Sequence, residues 1–458
     1  MIFFILSLGY ANENNLAEDI ESEEIQVEEQ QSETPLALDQ ISPSTFKELA
    51  PIDNHRILLV EDHRAPIVKI SLTIPAGTRS KWSQENHLEE AFSLLAYHPD
   101  GSLRSEINAL AAQVSLSTYA RSSFYTIQVL KEDLNLGLEL SQKILTNRTI
   151  DEAELKRWSK SVKIEWDSNL KEPTFIGKKE VLLSLFPDEN DVRHLNYREP
   201  IAVETNPDNL IPTLDAFLSS PQKYIGFAGD LNEKEASKAA RQLLDGLDHS
   251  GTEKTKPYYG SVATRKDGRS DRIEIERPNL NQVYFFYYKE LMPRTDENYP
   301  HFLIADHILA GHFYSRLYMA LRHDDGDTYG VGSSELFELN SMGCYSIETF
   351  TREANAEPME QKIRETMNLF VTEGISEEEL KDAKSHLLGN IKAEQKAPTQ
   401  LLDERIWEAY NKLDPEFEQK AIEHAQDLTV TEINAFISEF FNPDHFTMLL
   451  VKPEPSKE

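Results

Sequence analysis

Arg322 and Tyr329 are two side chains whose types and spacing could bind a peptide. Residues 302–309 and 314–321 before them have the apolar spacing of amphipathic helices, and residues 329–332 after them predict the start of a strand. Asp and Gly between them favour a turn, because Asp hydrogen-bonds its own backbone and Gly accepts positive φ. A guanidinium leaving a helix and a phenol entering a strand can then face one cleft and donate hydrogen bonds to a peptide carbonyl.

A simpler interpretation of the same run stays open at this point. Arg322 pairs with Asp324 or Asp325, and Tyr329 is a half-buried strand residue. Taken alone, with no other context, the run favours this simpler interpretation. The rest of the chain has to decide between the two.

A second constellation is the helical run His87-Leu88-Glu89-Glu90-Ala91. In a His-x-x-Glu-His helix two histidines hold zinc and the Glu activates the metal-bound water. Here Ala91 replaces the second histidine and has no ligand atom, while Glu165 on a later helix stands where a third ligand is expected. Catalytic zinc sites keep about three protein ligands plus water. The sequence therefore predicts no zinc in this chain, and His87 is either a remnant of a metal motif or an ordinary exposed helix residue.

The other residues with reactive side chains do not form a recognisable pattern. The single cysteine, Cys344, excludes an intramolecular disulfide and is expected to be a buried, inert thiol. Six further histidines lack ligand spacing and are expected to be structural: His194, His301, His307, His312, His323 and His386.

Composition excludes several classes of partner. The chain has 458 residues, of which 39% are hydrophobic and 28% charged, as in ordinary globular proteins of two or three domains. Its net charge of −32 argues against binding nucleic acid or an anionic membrane, because both need a basic face. No window approaches the ~18–20 apolar residues of a membrane span.

The N-terminus predicts two segments outside the fold. Residues 1–11 are apolar and end in Ala11, as in a secretory signal peptide whose basic beginning is missing. Residues 12–44 form an acidic leader: positions 13–33 carry nine Asp or Glu and no Lys or Arg. Such a segment buries too little apolar surface to fold and is expected to be disordered.

An internal repeat predicts two similar domains. Residues 150–156, Ile-Asp-Glu-Ala-Glu-Leu-Lys, recur at 375–381 as Ile-Ser-Glu-Glu-Glu-Leu-Lys, and each copy opens a long helix. Strand and helix patterns follow the same order in both halves. The chain is predicted to be α+β, with one domain at 45–249, a linker at 250–268 and a second domain at 269–453.

With these residues in view, the chain resembles the pitrilysin/insulinase family of zinc metallopeptidases over roughly residues 50–452. The resemblance rests on the duplication, on the degenerate His87-x-x-Glu90-Ala91 and on Arg322 with Tyr329 seven residues later. It implies two homologous α/β-sandwich domains of the pitrilysin/mitochondrial-processing-peptidase type. In small bacterial periplasmic members, one subunit carries the zinc and its partner carries an Arg–Tyr pair that grips the substrate.

The resemblance therefore implies that this chain is the non-zinc, substrate-binding subunit of a heterodimeric zinc endopeptidase acting on peptides or unfolded proteins. Arg322 and Tyr329 would bind the peptide, the zinc would sit in a homologous partner subunit, and both chains would be periplasmic. The strand at 113–117 matches the position where relatives add the peptide as an extra strand. Two alternatives remain: an inactive scaffold or chaperone-like homologue, and a divergent zinc peptidase with a replaced ligand.

Overall fold

The computed structural model describes residues 44–77, 101–119, 121–146, 152–188, 191–199, 207–247, 251, 271–323, 328, 330–336, 338–394 and 397–455. Those from Ser44 onward belong to one compact unit. The predicted signal peptide, almost all of the acidic leader and the linker apart from Gly251 lie outside the described residues. Within the described residues, no helix combines the length and apolar character that crossing a membrane requires.

Two β-sheets form the framework. The strands of the first are β1 Thr45–Ile52, β2 His55–Glu61, β3 Ile67–Ile74, β4 Gln113–Thr118, β5 Ser123–Leu130 and β6 Tyr224–Gly229. The strands of the second are β7 Arg272–Arg277, β8 Gln282–Leu291, β9 Val331–Leu336, β10 Gly343–Arg352 and β11 Thr447–Pro453. β6 is buried along its whole length because helices cover both faces of its sheet, which is the setting that favours continuous apolar strands.

The strand order shows the duplication directly. The first sheet runs β1-β2-β6-β3-β5-β4 and the second β7-β11-β8-β10-β9. Without β1 the two orders coincide position by position. In each sheet the first two strands of that order, β2 with β6 and β7 with β11, are parallel, and the remaining neighbours are antiparallel. The predicted α+β class and internal duplication are confirmed. The sequence runs at 56–60 and 67–74 predict two strands joined by a turn. Both strands form, as β2 and β3, but the prediction that they pair is wrong, because β6 lies between them.

Both halves also contain α-helices among the described residues. In the first half they are α1 Gly101–Ala109, α2 Leu134–Thr146, α3 Glu152–Asn169, α4 Pro173–Leu185, α5 Pro207–Leu218 and α6 Glu233–Asp245. In the second half they are α7 Tyr299–Leu309, α8 Arg316–Tyr318, α9 Ala356–Glu373, α10 Glu377–Glu394, α11 Pro398–Asn411, α12 Phe417–Asp427 and α13 Val430–Phe440. α8 continues as a π-helical turn over Met319–His323.

One helix was not expected from the sequence. α6 follows β6, whereas the sequence pattern alone predicts that a strand at 223–228 is the last element of the first unit. Asn232 and Glu235 form a capping box at the start of α6, which satisfies free N–H groups of its first turn. Buried alanines and leucines then hold the helix on the first core.

The two halves exchange helices. α4 packs on the second sheet, where Ile176, Leu182 and Phe186 share a cluster with Phe286 and Leu449. α11 packs in return on the first sheet, in a cluster with β2 and β6.

A glycine permits the close approach in each of these contacts. A Cβ on Gly177 of α4 would lie 2.1 Å from the ring of Phe286, and one on Gly226 of β6 would lie 2.6 Å from Ile406 of α11. Lys69 of the first sheet also donates to Asp403 of α11 at 2.8 Å. The outer face of each sheet is therefore covered by a helix from the other half.

Candidate peptide-binding site

Arg322 lies on the π-helical turn that continues α8, and its side chain is exposed. Its guanidinium lies 5.2 Å from the centre of the Tyr318 ring, four residues earlier on the same helical surface. Tyr318 in turn meets Phe313 edge-on at 5.2 Å between ring centres. Phe313 and its neighbour Tyr314 are 67% and 80% exposed. We call these four residues the Arg322 face.

The Arg322 face combines the two kinds of group that peptide recognition needs. A guanidinium carries five N–H donors and no acceptor, so it can serve carbonyl oxygens. Exposed aromatic rings offer large apolar area to a side chain at little entropic cost. Within the described residues no carboxylate forms an ion pair with Arg322; Asp324 and Asp325, the partners of the simpler interpretation, lie outside them.

The turn that carries Arg322 is tied to its own half of the chain by Arg316. Its guanidinium pairs with Glu379 through two hydrogen bonds of 2.8 and 2.9 Å and donates to the Gly374 carbonyl at 2.7 Å. Glu379 also accepts from the backbone N–H of Ser376 at the start of α10. Burial would raise the pKa of Glu379, but the bonds from Arg316 and Ser376 hold it below its ordinary value. The charged pair therefore fixes α8 against the start of α10.

Tyr329 lies outside the described residues, but the residues on both sides of it are described. The buried Thr328 hydroxyl donates to the Gly330 carbonyl at 3.0 Å and lies 3.2 Å from the Gly330 N–H. The hydroxyl of Thr349 on β10 donates to the same carbonyl at 2.9 Å. The backbone flanking Tyr329 is thus attached to β10, one strand in from the edge of the second sheet.

Each sheet ends in an edge strand that is open to pairing along the described part of the chain. β4 forms the edge of the first sheet and β9 that of the second. The strand predicted at 113–117 is therefore an edge strand, and its role in peptide binding stays a prediction. The loops that follow these two strands are in contact, because the Arg121 guanidinium lies 3.8 Å from the Glu338 carboxylate.

The degenerate metal motif falls mainly outside the described residues. His87, Glu90 and Ala91 all lie there, and Glu165 is exposed on α3. The donor set predicted from the sequence does not fit a catalytic zinc, because the methyl of Ala91 offers no lone pair and only two ligands remain. Across the described ranges no three His, Cys, Asp or Glu side chains are grouped so that they could hold a metal ion.

Three histidines that seemed unrelated in sequence lie together. The ring centre of His307 is 4.0 Å from that of His312 and 4.6 Å from that of His386. Burial, reinforced by the two neighbouring rings, lowers the pKa of His307 to about 3. Spacing of five residues does not put two side chains on one helical face, but α7 ends at Leu309 and the chain folds back, so His312 returns to His307. Because these histidines lack ligand spacing, nothing in the sequence indicates this cluster.

The family follows from two matches in sequence. Residues 56–187 match the family model described as Insulinase (Peptidase family M16), and residues 206–387 match the one described as Peptidase M16 inactive domain. The chain belongs to peptidase family M16, the pitrilysin/insulinase family, as predicted. The pitrilysin-type fold is confirmed as well.

Individual relatives are distant. The Bacillus subtilis (strain 168) protein named "Uncharacterized zinc protease YmxG" is 21% identical over 344 residues, which are 73% of this chain and 81% of the relative. Among solved structures, a peptidase M16 inactive domain from Pseudomonas fluorescens has a TM-score of 0.75 at 18% identity, covering 90% of this chain and 99% of its own. The periplasmic protease PqqL of Escherichia coli has a TM-score of 0.71 at 15% identity, covering 92% of this chain but 48% of its own.

Proposed function

We propose that this chain is the peptide-holding, non-zinc subunit of a two-chain zinc endopeptidase that acts on peptides or unfolded proteins. The observation that carries the proposal is the Arg322 face, an exposed guanidinium beside exposed aromatic rings on a firmly attached turn. The missing zinc ligand at Ala91 supports the proposal independently, because a chain that offers only two zinc ligands needs a partner to supply the metal.

A longer relative is consistent with a second subunit. PqqL, named a periplasmic protease, has about twice the length that this fold occupies, since the match covers 48% of it. In a two-chain enzyme, a homologous zinc-bearing subunit would supply the other half. The same relative supports the proposal that the chain works in the periplasm.

In this function the chain binds and orients the substrate. Arg322 donates hydrogen bonds to a backbone carbonyl of the peptide, Tyr329 adds a phenol donor, and the aromatic rings hold an apolar side chain. An extended peptide can also pair with the open edge of β4, where main-chain bonds give affinity without sequence preference. Orientation of this kind lowers the barrier of a step that another subunit catalyses. The zinc, bound in that partner, would supply the Lewis acid and the activated water.

The test is reconstitution. We would recover the tagged chain with its native partner and measure cleavage of an unfolded protein with and without a chelator. Arg322→Ala should lower cleavage by about tenfold or more, as expected for the loss of a charged hydrogen bond, and should leave thermal unfolding unchanged. Tyr329→Phe should have a smaller effect in the same direction.

Arg352→Ala is the matched control, because Arg352 is an exposed arginine at the end of β10. If Arg322→Ala and Arg352→Ala cleave equally well, the Arg322 face has no role in catalysis. A chain that recovers alone and inert would support the scaffold interpretation. Chelator-sensitive cleavage by the purified chain alone would support a replaced zinc ligand and contradict the proposal.

A further inference from the structure

Asp306 on α7 is a buried carboxyl group that joins three elements. It is 8% exposed. Its Oδ1 accepts a hydrogen bond of 2.7 Å from the hydroxyl of Tyr345 on β10, and its Oδ2 accepts one of 2.9 Å from the hydroxyl of Ser333 on β9. A helix and two neighbouring strands therefore meet at one carboxyl group.

A second carboxyl group reaches the same place. Glu335 follows Ser333 by two residues on β9, so both side chains point to the same face of the sheet. Glu335 also lies directly opposite Tyr345 in the sheet, and both Ser333 and Tyr345 donate to Asp306, so the Glu335 carboxyl is placed beside that of Asp306 within reach of a hydrogen bond. A carboxylate has only acceptor atoms, so two carboxyl groups can bond to each other only if one carries a proton. Two ionised carboxylates side by side would instead repel each other.

The surrounding charges favour keeping that proton. Burial raises the pKa of Glu335 well above its ordinary value, the charge of Asp306 raises it further, and Glu348 on β10 adds to the effect. Burial also raises the pKa of Asp306, against the lowering by its bonds from Tyr345 and Ser333. Arg294, ahead of α7, acts in the opposite sense, because a nearby cation favours the ionised form of Glu335, but its guanidinium already pairs with Glu418 at 2.9 Å.

Asp306 and Glu335 lie on two elements, α7 and β9, that are continuous in the chain with the two parts of the candidate site. β9 begins at Val331, directly after the segment around Tyr329 that Thr349 holds. On the other side, α7 leads into the loop that carries Phe313 and Tyr314. The N–H of Gly311 in that loop donates to the Asp306 carbonyl at 2.8 Å, and a Cβ on Gly311 would lie 3.0 Å from Asp306 Oδ2.

We propose that Asp306 and Glu335 share one proton that clamps the edge strand β9 onto α7, and that Asp306 is a positioning residue for the Arg322 face. The shared proton stands on the contacts alone, whereas the positioning role rests on the proposed function. Loss of the proton as pH rises would release β9 from α7 and disturb the loop that α7 leads into, which carries Phe313 and Tyr314.

Glu335→Gln is the decisive variant. The Gln amide can donate to an ionised Asp306 at any pH, so the clamp no longer depends on a proton. Glu353→Gln, at an exposed carboxyl beside β10, is the matched control. Urea unfolding of the three full-length chains would be compared from about pH 5, just above the ordinary Glu value, to about pH 9.

The sign of the expected effect follows from the raised pKa. The folded chain holds a proton that the unfolded chain has released, so wild-type stability falls as pH rises towards the folded-state pKa. The stability of Glu335→Gln relative to wild type should therefore grow with pH, while that of Glu353→Gln stays level. A level difference for Glu335→Gln would overturn the shared proton. So would a loss of wild-type stability on adding EDTA, which would show a bound cation between two ionised groups.

The positioning role has a separate readout, the affinity for a fluorescein-labelled, unstructured, apolar-rich peptide measured by anisotropy. Wild-type affinity should weaken by roughly tenfold over this pH range and that of Glu335→Gln should stay constant. Equal pH dependence in both would overturn the positioning role. If no variant binds peptide at any pH while the stability difference still grows, the proposed function fails, the positioning role falls with it, and the shared proton stands.

Discussion

Replacing Gly177 by Ala would force a methyl group against the ring of Phe286, where helix α4 of the first half packs on the second sheet. The added Cβ would lie 2.1, 2.2 and 2.8 Å from three ring atoms, and the ring is only 1% exposed. Two effects oppose each other. Ala is better than Gly inside a helix by about 0.5–1 kcal/mol, whereas overpacking a filled core costs about 1–3 kcal/mol. Because contacts this short need backbone movement, we expect a net loss of about 2 kcal/mol.

Gly389→Ala provides the matched control for this experiment. Gly389 also lies inside a helix, α10, but nothing lies within 4 Å of a Cβ placed there. It should therefore show the helix gain alone, a stabilisation of about 0.5–1 kcal/mol. Urea unfolding followed by circular dichroism would give the free energies of unfolding of both variants.

Shortening Phe286 tests whether the ring is the cause. Phe286→Leu alone should cost roughly 1–2 kcal/mol through the cavity it leaves. The double variant Gly177→Ala/Phe286→Leu should be no less stable than Phe286→Leu alone, because the new methyl group enters the cavity. The loss of about 2 kcal/mol from Gly177→Ala would then disappear, which is a coupling energy of about 2 kcal/mol between the two sites. Additive losses in the double variant, or a Gly177→Ala chain as stable as Gly389→Ala, would refute the contact between the halves as described.

Two further predictions concern buried charge. Because the pKa of His307 is lowered to about 3, the folded chain resists a proton that the unfolded chain takes up, and stability falls as pH drops below about 6.5. Between about pH 6.5 and 5 wild type should lose about 2 kcal/mol relative to His307→Leu, and exposed His445→Gln should behave as wild type in the same urea titration. Lys69→Met should cost about 1–3 kcal/mol at neutral pH, because Asp403 keeps a largely buried charge without its partner. Lys69→Met/Asp403→Leu should recover much of that loss, and a double variant that melts lower than the single one would contradict this account.

Much of the fold could be predicted because each strand or helix is recognisable from its own residues. The runs at 56–60 and 67–74 are β-branched and apolar, and the repeat at 150–156 and 375–381 opens a helix in each half. Pairing between strands is not local. Nothing in the sequence of β2 and β3 reveals that β6, from about 150 residues later, inserts between them.

The exchange of helices between the two halves could not be predicted from the sequence for a related reason. α4 buries Ile176, Gly177, Val181, Leu182 and Leu185, which an apolar helix would do against any sheet. Its target depends on the facing ring of the other half, and a local pattern carries no information about that partner.

The site residues also fall into two groups: those that local spacing indicates and those that only the fold brings together. The sequence singles out Arg322 because its spacing to Tyr329 is local, and the structure places its exposed side chain beside aromatic rings. Its role in peptide binding stays a prediction. The contacts of Asp306 with Glu335, and of His307 with His386, join residues about 29 and 79 positions apart and needed the fold to appear. An acidic residue inside an apolar helix such as α7 was the available signal for Asp306, because carboxyl groups are rarely buried without a partner.

The helix exchange also sets an order of events during synthesis. The outer face of β2 and β6 is covered by Leu401, Leu402 and Ile406 of α11, which leave the ribosome about 170 residues after β6. Until then the first sheet presents an apolar face to solvent, a state that favours aggregation and binding by chaperones. The first half can therefore form its own core early but completes its surface only when nearly the whole chain is available. For a chain that is exported before it folds, this delay would be harmless, since all of its residues arrive before folding begins.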